Sequence, residues 1–363
     1  MLSGSLRIFY LFDISEEIRL EELRKILGAE PPIREPRFRH PAPEYVRFAK
    51  PPVVETLEPI LTASGERLPG QIHYFDYGVV SVQLELRFTA GWPELVTLAA
   101  RWIDAPELEQ QVAARVRQHL AGTTAALVKP YDTHLVEDYY VVQLDPLTDS
   151  GGNTVSAARL IEQHGGAIAQ IVRGELAALS SEEEAEILSS RMSYYPTDLV
   201  VVGWTAAFIY DTPEGAASTI RLLEYANTQL LEFRHYDDLL TERLGDVYRL
   251  LDRGTGPLRR WRLAREAEKL NTIRLDVTEL AERADTAIKF LSDMFSARVY
   301  RLAEAKVGVP DYRRLVDEKL AVARDLYQFM NDRFHQSSAL ILEAMVVIIL
   351  IIDLVYLFGG GRH

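Results

Sequence analysis

The densest run of groups able to do chemistry is Glu232-Phe-Arg234-His235-Tyr236-Asp237-Asp238. On a helix Glu232 and His235 share a face, the Glu-x-x-His spacing with which helical bundles hold di-iron centres. Such a centre takes a second copy of the motif and carboxylates from facing helices, and the sequence has no second Glu-x-x-His. The simpler reading is preferred: Glu232, Arg234 and Asp238 serve as charge partners along a helix, with Arg234 and Asp238 at i,i+4. Asp237 stands apart, because one polar residue in an apolar helical seam can fix register or pairing state.

Elsewhere the signals for catalysis are faint. His73, His119, His134 and His164 show no metal-ligand spacing. Gly151-Gly152 and Gly165-Gly166 lack the pattern of a phosphate-binding loop, and no Gly-x-Ser-x-Gly elbow occurs. The chain has no cysteine, which excludes a disulfide scaffold, a thiolate metal site and a cysteine nucleophile. A net charge of −13 argues against general nucleic-acid binding, which takes a basic face. No catalytic, metal or cofactor-binding residue is therefore nominated, and the expectation is a protein that is not an enzyme. A site assembled from distant residues would leave no local pattern.

Two further sets of residues suggest binding. Residues 30–52, EPPIREPRFRHPAPEYVRFAKPP, form a proline-rich arm in which Arg34, Arg37, Arg39, Arg47 and Lys50 alternate with Phe38, Tyr45 and Phe48. Prolines at that density forbid a helix or central strand. The arm reads as an extended loop over its own domain, or as a grip on a partner.

The second set surrounds Ala339–Phe358, ALILEAMVVIILIIDLVYLF, which is apolar except for Glu343 and Asp353. Twenty helical residues match a bilayer core of roughly 30 Å. Fourteen Leu, Ile, Val and Phe contribute about −4 to −8 kcal/mol to insertion, and a central carboxylate opposes it by about 2.5–3.5 kcal/mol. The segment is predicted to be a C-terminal transmembrane anchor, with Glu343 and Asp353 facing another helix or headgroup water. A helix buried in an oligomer is the alternative. With only a few residues beyond it, the protein is expected to be tail-anchored, its body in the cytoplasm.

The elements that would carry these residues fall into three parts. Residues 1–212 read as an α+β head. Leu6–Ile14 reads as a strand, with Ser15 capping a helix to about Leu27; β stretches follow at 53–61, 72–88 and 137–145. Helices open at Pro93, at Asp104–Glu107 and at a Ser181–Glu184 capping box, and Asp198–Asp211 closes the head as one long apolar strand, with a buried helix as the alternative. Residues 213–338 read as an antiparallel helical coiled-coil stalk, since Leu223, Ala226, Leu230, Phe233, Leu240, Leu244, Val247 and Leu251 fall on 3–4 spacing, as do Leu270 to Met294. The second stalk helix, roughly 73 Å, outruns the roughly 42 Å of the third before the membrane. Its start would then lie level with the bilayer, placing Arg259, Arg260, Arg262 and Arg265 on anionic headgroups with Trp261 at the interface. Pairing of these bases with nearby acids is the other reading.

Three stretches together resemble the YagE family, which includes the required-for-meiotic-nuclear-division proteins. They are FDYGVV (Phe75–Val80), NTQLLEFRHYDDLLTERLGDVYRLL (Asn227–Leu251) and the closing SALILEAMVVIILIIDLVYLF. The chain departs from that family in its proline-rich arm and in lacking an Arg-Leu-Glu-Trp opening before the last helix. The resemblance implies a membrane-attached protein with a soluble α+β domain, in some members supporting organellar translation, and it carries over no catalytic residue. The expectation is thus a membrane-anchored scaffold, homo-oligomeric, presenting its head to a protein partner. A membrane-associated enzyme with a site in a head cleft and a soluble coiled-coil oligomer are the alternatives.

Overall fold

The computed structural model describes residues 1–28, 51–62, 65–103, 105–252, 265, 268–279, 282, 294–326, 328 and 350. Eight strands among them form a single sheet: β1 (Leu2–Ile18), β2 (Val53–Leu61), β3 (Arg67–Tyr74), β4 (Val79–Ala90), β5 (Leu127–Leu144), β6 (Arg191–Met192), β7 (Leu199–Val202) and β8 (Ala206–Tyr210). Their spatial order is β2-β3-β4-β1-β5-β8-β7-β6. Neighbours are antiparallel except β5 and β8, which pair in parallel.

The sheet is buried on both faces, and β1 shows why. Leu6, Ile8, Tyr10, Phe12 and Ile14 join the main core with Val82 and Leu84 of β4 and with Tyr140 and Val142 of β5. Helices α2 (Trp92–Ile103), α3 (Pro106–Thr123), α4 (Ala157–Arg173) and α5 (Ser181–Ser189) pack into this core through Leu95, Val112, Leu160 and Leu188, as does the short helix Leu20–Leu27 through Leu23. Phe9 and Leu11 point the other way and are equally buried, as are Tyr139, Val141, Ala207 and Ile209. An unbroken apolar run such as Leu6–Phe12 is what a strand covered on both sides needs. The second face is covered by the part of α6 (Pro213–Asp252) up to His235, and α7 (Met294–Val307) lies beside the β6–β7 loop, Phe295 packing edge-on against Tyr194 at 5.2 Å.

The chain divides into two compact units, Met1–His235 with Glu279–Arg313, and Tyr236–Thr278 with Arg314–His363. The first holds the sheet. The described part of the second is helical and includes the end of α6 and residues 314–326. Within it Lys319 Nζ lies 2.6 Å from Asp237 Oδ1 and donates to the Asp237 carbonyl at 3.1 Å.

Three expectations are corrected. The fold is an eight-stranded mixed sheet with helices, and no long coiled-coil stalk is present among the described residues. Leu223, Ala226, Leu230 and Phe233 are buried, but on a helix laid against a sheet, and a 3–4 apolar stripe serves either partner equally. Nor is any helix among the described residues long and apolar enough to cross a membrane. That overturns the transmembrane anchor, the tail-anchored membrane location and the membrane as a partner. Hydropathy had set the apolar side chains of 339–358 against two carboxylates that weigh toward water; Glu343 and Asp353 lie outside the described residues. With the bilayer gone, the headgroup role assigned to Arg259, Arg260, Trp261, Arg262 and Arg265 goes too. The first four lie outside the described residues, and Arg265 is helical and exposed.

Local readings shift as well. β1 runs past Ser15 to Ile18, because residues 15–18 pair with β5; Ser15 Oγ donates to the Glu17 carbonyl at 3.1 Å instead of capping a helix. Helix α1 (Leu20–Leu27) starts only after Arg19. The α5 cap is Ser180, whose Oγ accepts from Glu183 N. The stretch 198–211 is two strands, β7 and β8, turned at Gly203-Trp204-Thr205. A Cβ at Gly203 would stand 2.5 Å from Val172 Cγ1, so the turn needs glycine there.

Candidate functional site

The polar groups that converge do so on the second face of the sheet, beneath α6. Glu224, Thr228 and His235 lie at i, i+4 and i+11 of that helix, on one narrow stripe at 3.6 residues per turn. The sheet offers each a partner. His73 of β3 sets Nδ1 2.9 Å from Glu224 Oε1 and 3.0 Å from Oε2, both side chains buried. Tyr77, in the β3–β4 turn, meets Thr228 Oγ1 at 2.7 Å. The Thr228 hydroxyl donates to the Tyr225 carbonyl at 2.7 Å, so Tyr77 is the donor to it. Burial, with Tyr225 and nearby acids adding, pushes the Tyr77 hydroxyl well above its usual range and keeps it protonated for that role.

The third partner is Asp13 of β1. Its Oδ2 lies 2.7 Å from His235 Nδ1, and the residue is 1% exposed. Burial raises the Asp13 carboxyl above its ordinary range, against the opposing pull of His235 and His134. The strands are irregular at this point. The β1–β5 register passes from Asp13↔Leu135 to Ser15↔Pro130, leaving Tyr131, Asp132, Thr133 and His134 outside the ladder, and Lys129 has φ 48°. Bulges of this kind re-aim side chains. Here the Tyr131 ring stacks on His235, centroids 4.7 Å apart at 16°. Beside them Arg234 of α6 forms an ion pair with Glu137 of β5.

Two local devices position the site. Gly78 has φ +98°, and a Cβ there would lie 1.7 Å from the Ser15 carbonyl oxygen. Only glycine lets the turn carrying Tyr77 press against the β1 bulge. At the start of α6, Gln143 donates to the Asp211 carbonyl at 2.7 Å and to Asp145 Oδ1 at 3.0 Å, and accepts from Ser5 Oγ at 3.2 Å. Thr212 Oγ1 then accepts from Gly215 N at 3.1 Å in the manner of a helix cap.

Of the residues singled out from sequence, His235 enters this site and Arg234 borders it. Glu232 is buried on the same helix, but no group of three or more His, Asp or Glu able to hold a metal occurs among the described residues. Asp237 pairs with Lys319 in the second unit. Arg34, Arg37, Arg39, Arg47 and Lys50 lie outside the described residues. Two of the scattered histidines prove to be paired: His73 with Glu224, and His119 with Glu55 at 3.0 Å, whose other oxygen accepts from Tyr74 at 2.7 Å. His164 stacks on Trp92 at 4.4 Å, and burial lowers its affinity for a proton. Asp13, Tyr77 and Tyr131 were missed. A signal for Asp13 did exist, as the one charged residue inside Leu6–Ile14 apart from Arg7.

Fold and site together define an α/β unit whose sheet is clamped to a long helix by buried hydrogen-bonded and ionic pairs. The chain belongs to the family described as "Uncharacterized protein MJ0711, N-terminal domain", whose model matches residues 3–217. It is similar to the uncharacterized protein MJ0711 of Methanocaldococcus jannaschii, with 20% identity over 195 residues, 54% of this chain and 60% of that protein. The match thus spans about three fifths of the relative's length. No solved structure matches. These findings replace the resemblance to the YagE and meiotic-division family, and its implied membrane attachment and translation role fall with it. FDYGVV is a glycine turn between strands, and Asn227–Leu251 is an amphipathic helix; both patterns are set by local physics that unrelated chains share.

Proposed function

We propose that the chain is a non-enzymatic scaffold whose eight-stranded unit recruits a protein partner. The observation that carries this reading is a set of exposed aromatics at the two ends of β7, beside the β6 edge of the sheet. Trp204, at the β7–β8 turn, is 59% exposed, and Tyr194 and Tyr195, on the β6–β7 loop, are exposed as well. Large exposed aromatics are the informative exceptions to burial, and Trp and Tyr dominate the residues that anchor protein interfaces. The acidic and imidazole groups, by contrast, are spent on tying helices to the sheet.

A capture experiment tests this. The full chain and Trp204→Ser, Tyr194→Ser and Tyr195→Ser variants would be used as bait under identical conditions. The expected result is at least a fivefold loss of a co-purifying protein in one or more variants, with melting temperature within about 2 °C of the parent, since exposed substitutions have small effects on stability. Identical recoveries by all four would remove the aromatic surface as the recruiting site.

The second reading, an enzyme, draws on one observation: the Asp13–His235 pair at an irregular strand, where Asp13 could orient the imidazole as a general base. Acylation by diethyl pyrocarbonate separates the two. The scaffold reading expects His235, stacked under Tyr131, to react far more slowly than a free histidine. Rapid modification of His235 would favour the enzyme.

A further inference from the structure

Asp13 and His235 do more than add a third tie. We propose that they form a proton-dependent latch: while one proton is held between carboxylate and imidazole, the last sheet-packed turn of α6 stays docked, and loss of that proton releases it. Removing the proton leaves an ionised, almost wholly buried carboxylate facing a neutral ring, and a buried charge without a counter-charge is expensive.

The surroundings make this pair the sensitive one. From β5 the pair is met by Tyr131, stacked on His235, and by His134, which acts on Asp13; next to His235 in α6, Arg234 pairs with Glu137, and Asp76 and Glu232 act on Tyr77 of the β3–β4 turn. Arg234 is held by Glu137, so it is the imidazole, with His134 farther off, that compensates Asp13. Residues 131–134 stand outside the β1–β5 register at this point, and α6 lies on the face of the sheet, so it can lift here with the β1–β5 ladder intact. His235 is also the last α6 residue of the first unit, whereas Glu224 sits three turns back, held by His73.

Amide hydrogen exchange on the full chain between pH 5.5 and 8.5, corrected for intrinsic rates, tests the proposal. Protection of amides 231–236 is expected to fall at least tenfold as pH rises, while amides 216–223 hold theirs. Asp13→Asn removes the titrating acid and should flatten the profile. His235→Gln removes the proton carrier and should move the loss to lower pH. A flat wild-type profile, or parallel profiles in wild type and Asp13→Asn, overturns the latch; should a variant fail to fold, the wild-type profile decides alone.

Discussion

Asp13 is the residue on which the chemistry of the second face turns, because its environment sets the sign of a pH effect. Its carboxyl is raised in the folded protein, mainly by burial. The stability it contributes is therefore fully present below the unfolded value, about pH 4, and is lost as pH rises through the folded value. Asp13→Asn should remove this slope, so that in urea titrations the variant gains on the parent steadily as pH rises above about 4. A second prediction concerns Gly78. Ala there meets the Ser15 carbonyl and a left-handed backbone, and should cost at least about 2 kcal/mol in denaturant unfolding. At this scale the sequence was half legible. The Glu232–His235 run stood out by composition, yet its partner stands on the first strand, and no local pattern links residues so far apart. His73 and Glu224 illustrate the same gap, 151 residues apart and 2.9 Å in space.

At the scale of elements, α6 was readable from Pro213 to about Leu251, and the helix runs Pro213–Asp252. What its apolar spacing could not convey is the partner. The stripe Glu224, Thr228, His235 could have shown it: polar residues recurring on an inward face need polar groups opposite, and a coiled-coil seam supplies few. Thr228→Val deletes the acceptor for Tyr77, leaving a buried hydroxyl unsatisfied, and should cost about 1–3 kcal/mol. The strands were legible where alternation or apolar runs were long. The turns were less so, because Phe75–Gly78 and Gly203–Thr205 interrupt apolar runs with only one glycine each.

For the whole molecule, the family match ends at residue 217, seven residues before Glu224. The second face of the sheet, with Phe9, Leu11, Tyr139 and Val141 all buried, is covered by parts of the chain beyond that limit. A chain ending at 217 should expose this face, bind a hydrophobic dye such as ANS strongly and unfold without a sharp transition. Dye binding at the level of the full chain would mean that the sheet closes without α6. Hydropathy pointed to a membrane span at the C-terminal segment, whereas no helix among the described residues is long and apolar enough to cross a membrane.

Paired buried polar groups hold α6 on the sheet, and a double-mutant cycle on His73 and Glu224 measures that hold. Replacing either one by Leu strands a buried partner and should cost about 3–5 kcal/mol, while replacing both should cost far less than the sum. Coupling of about 2 kcal/mol or more in urea unfolding is the predicted result. Single effects that simply add, within about 0.5 kcal/mol, would mean that the two residues do not meet and that α6 is held some other way.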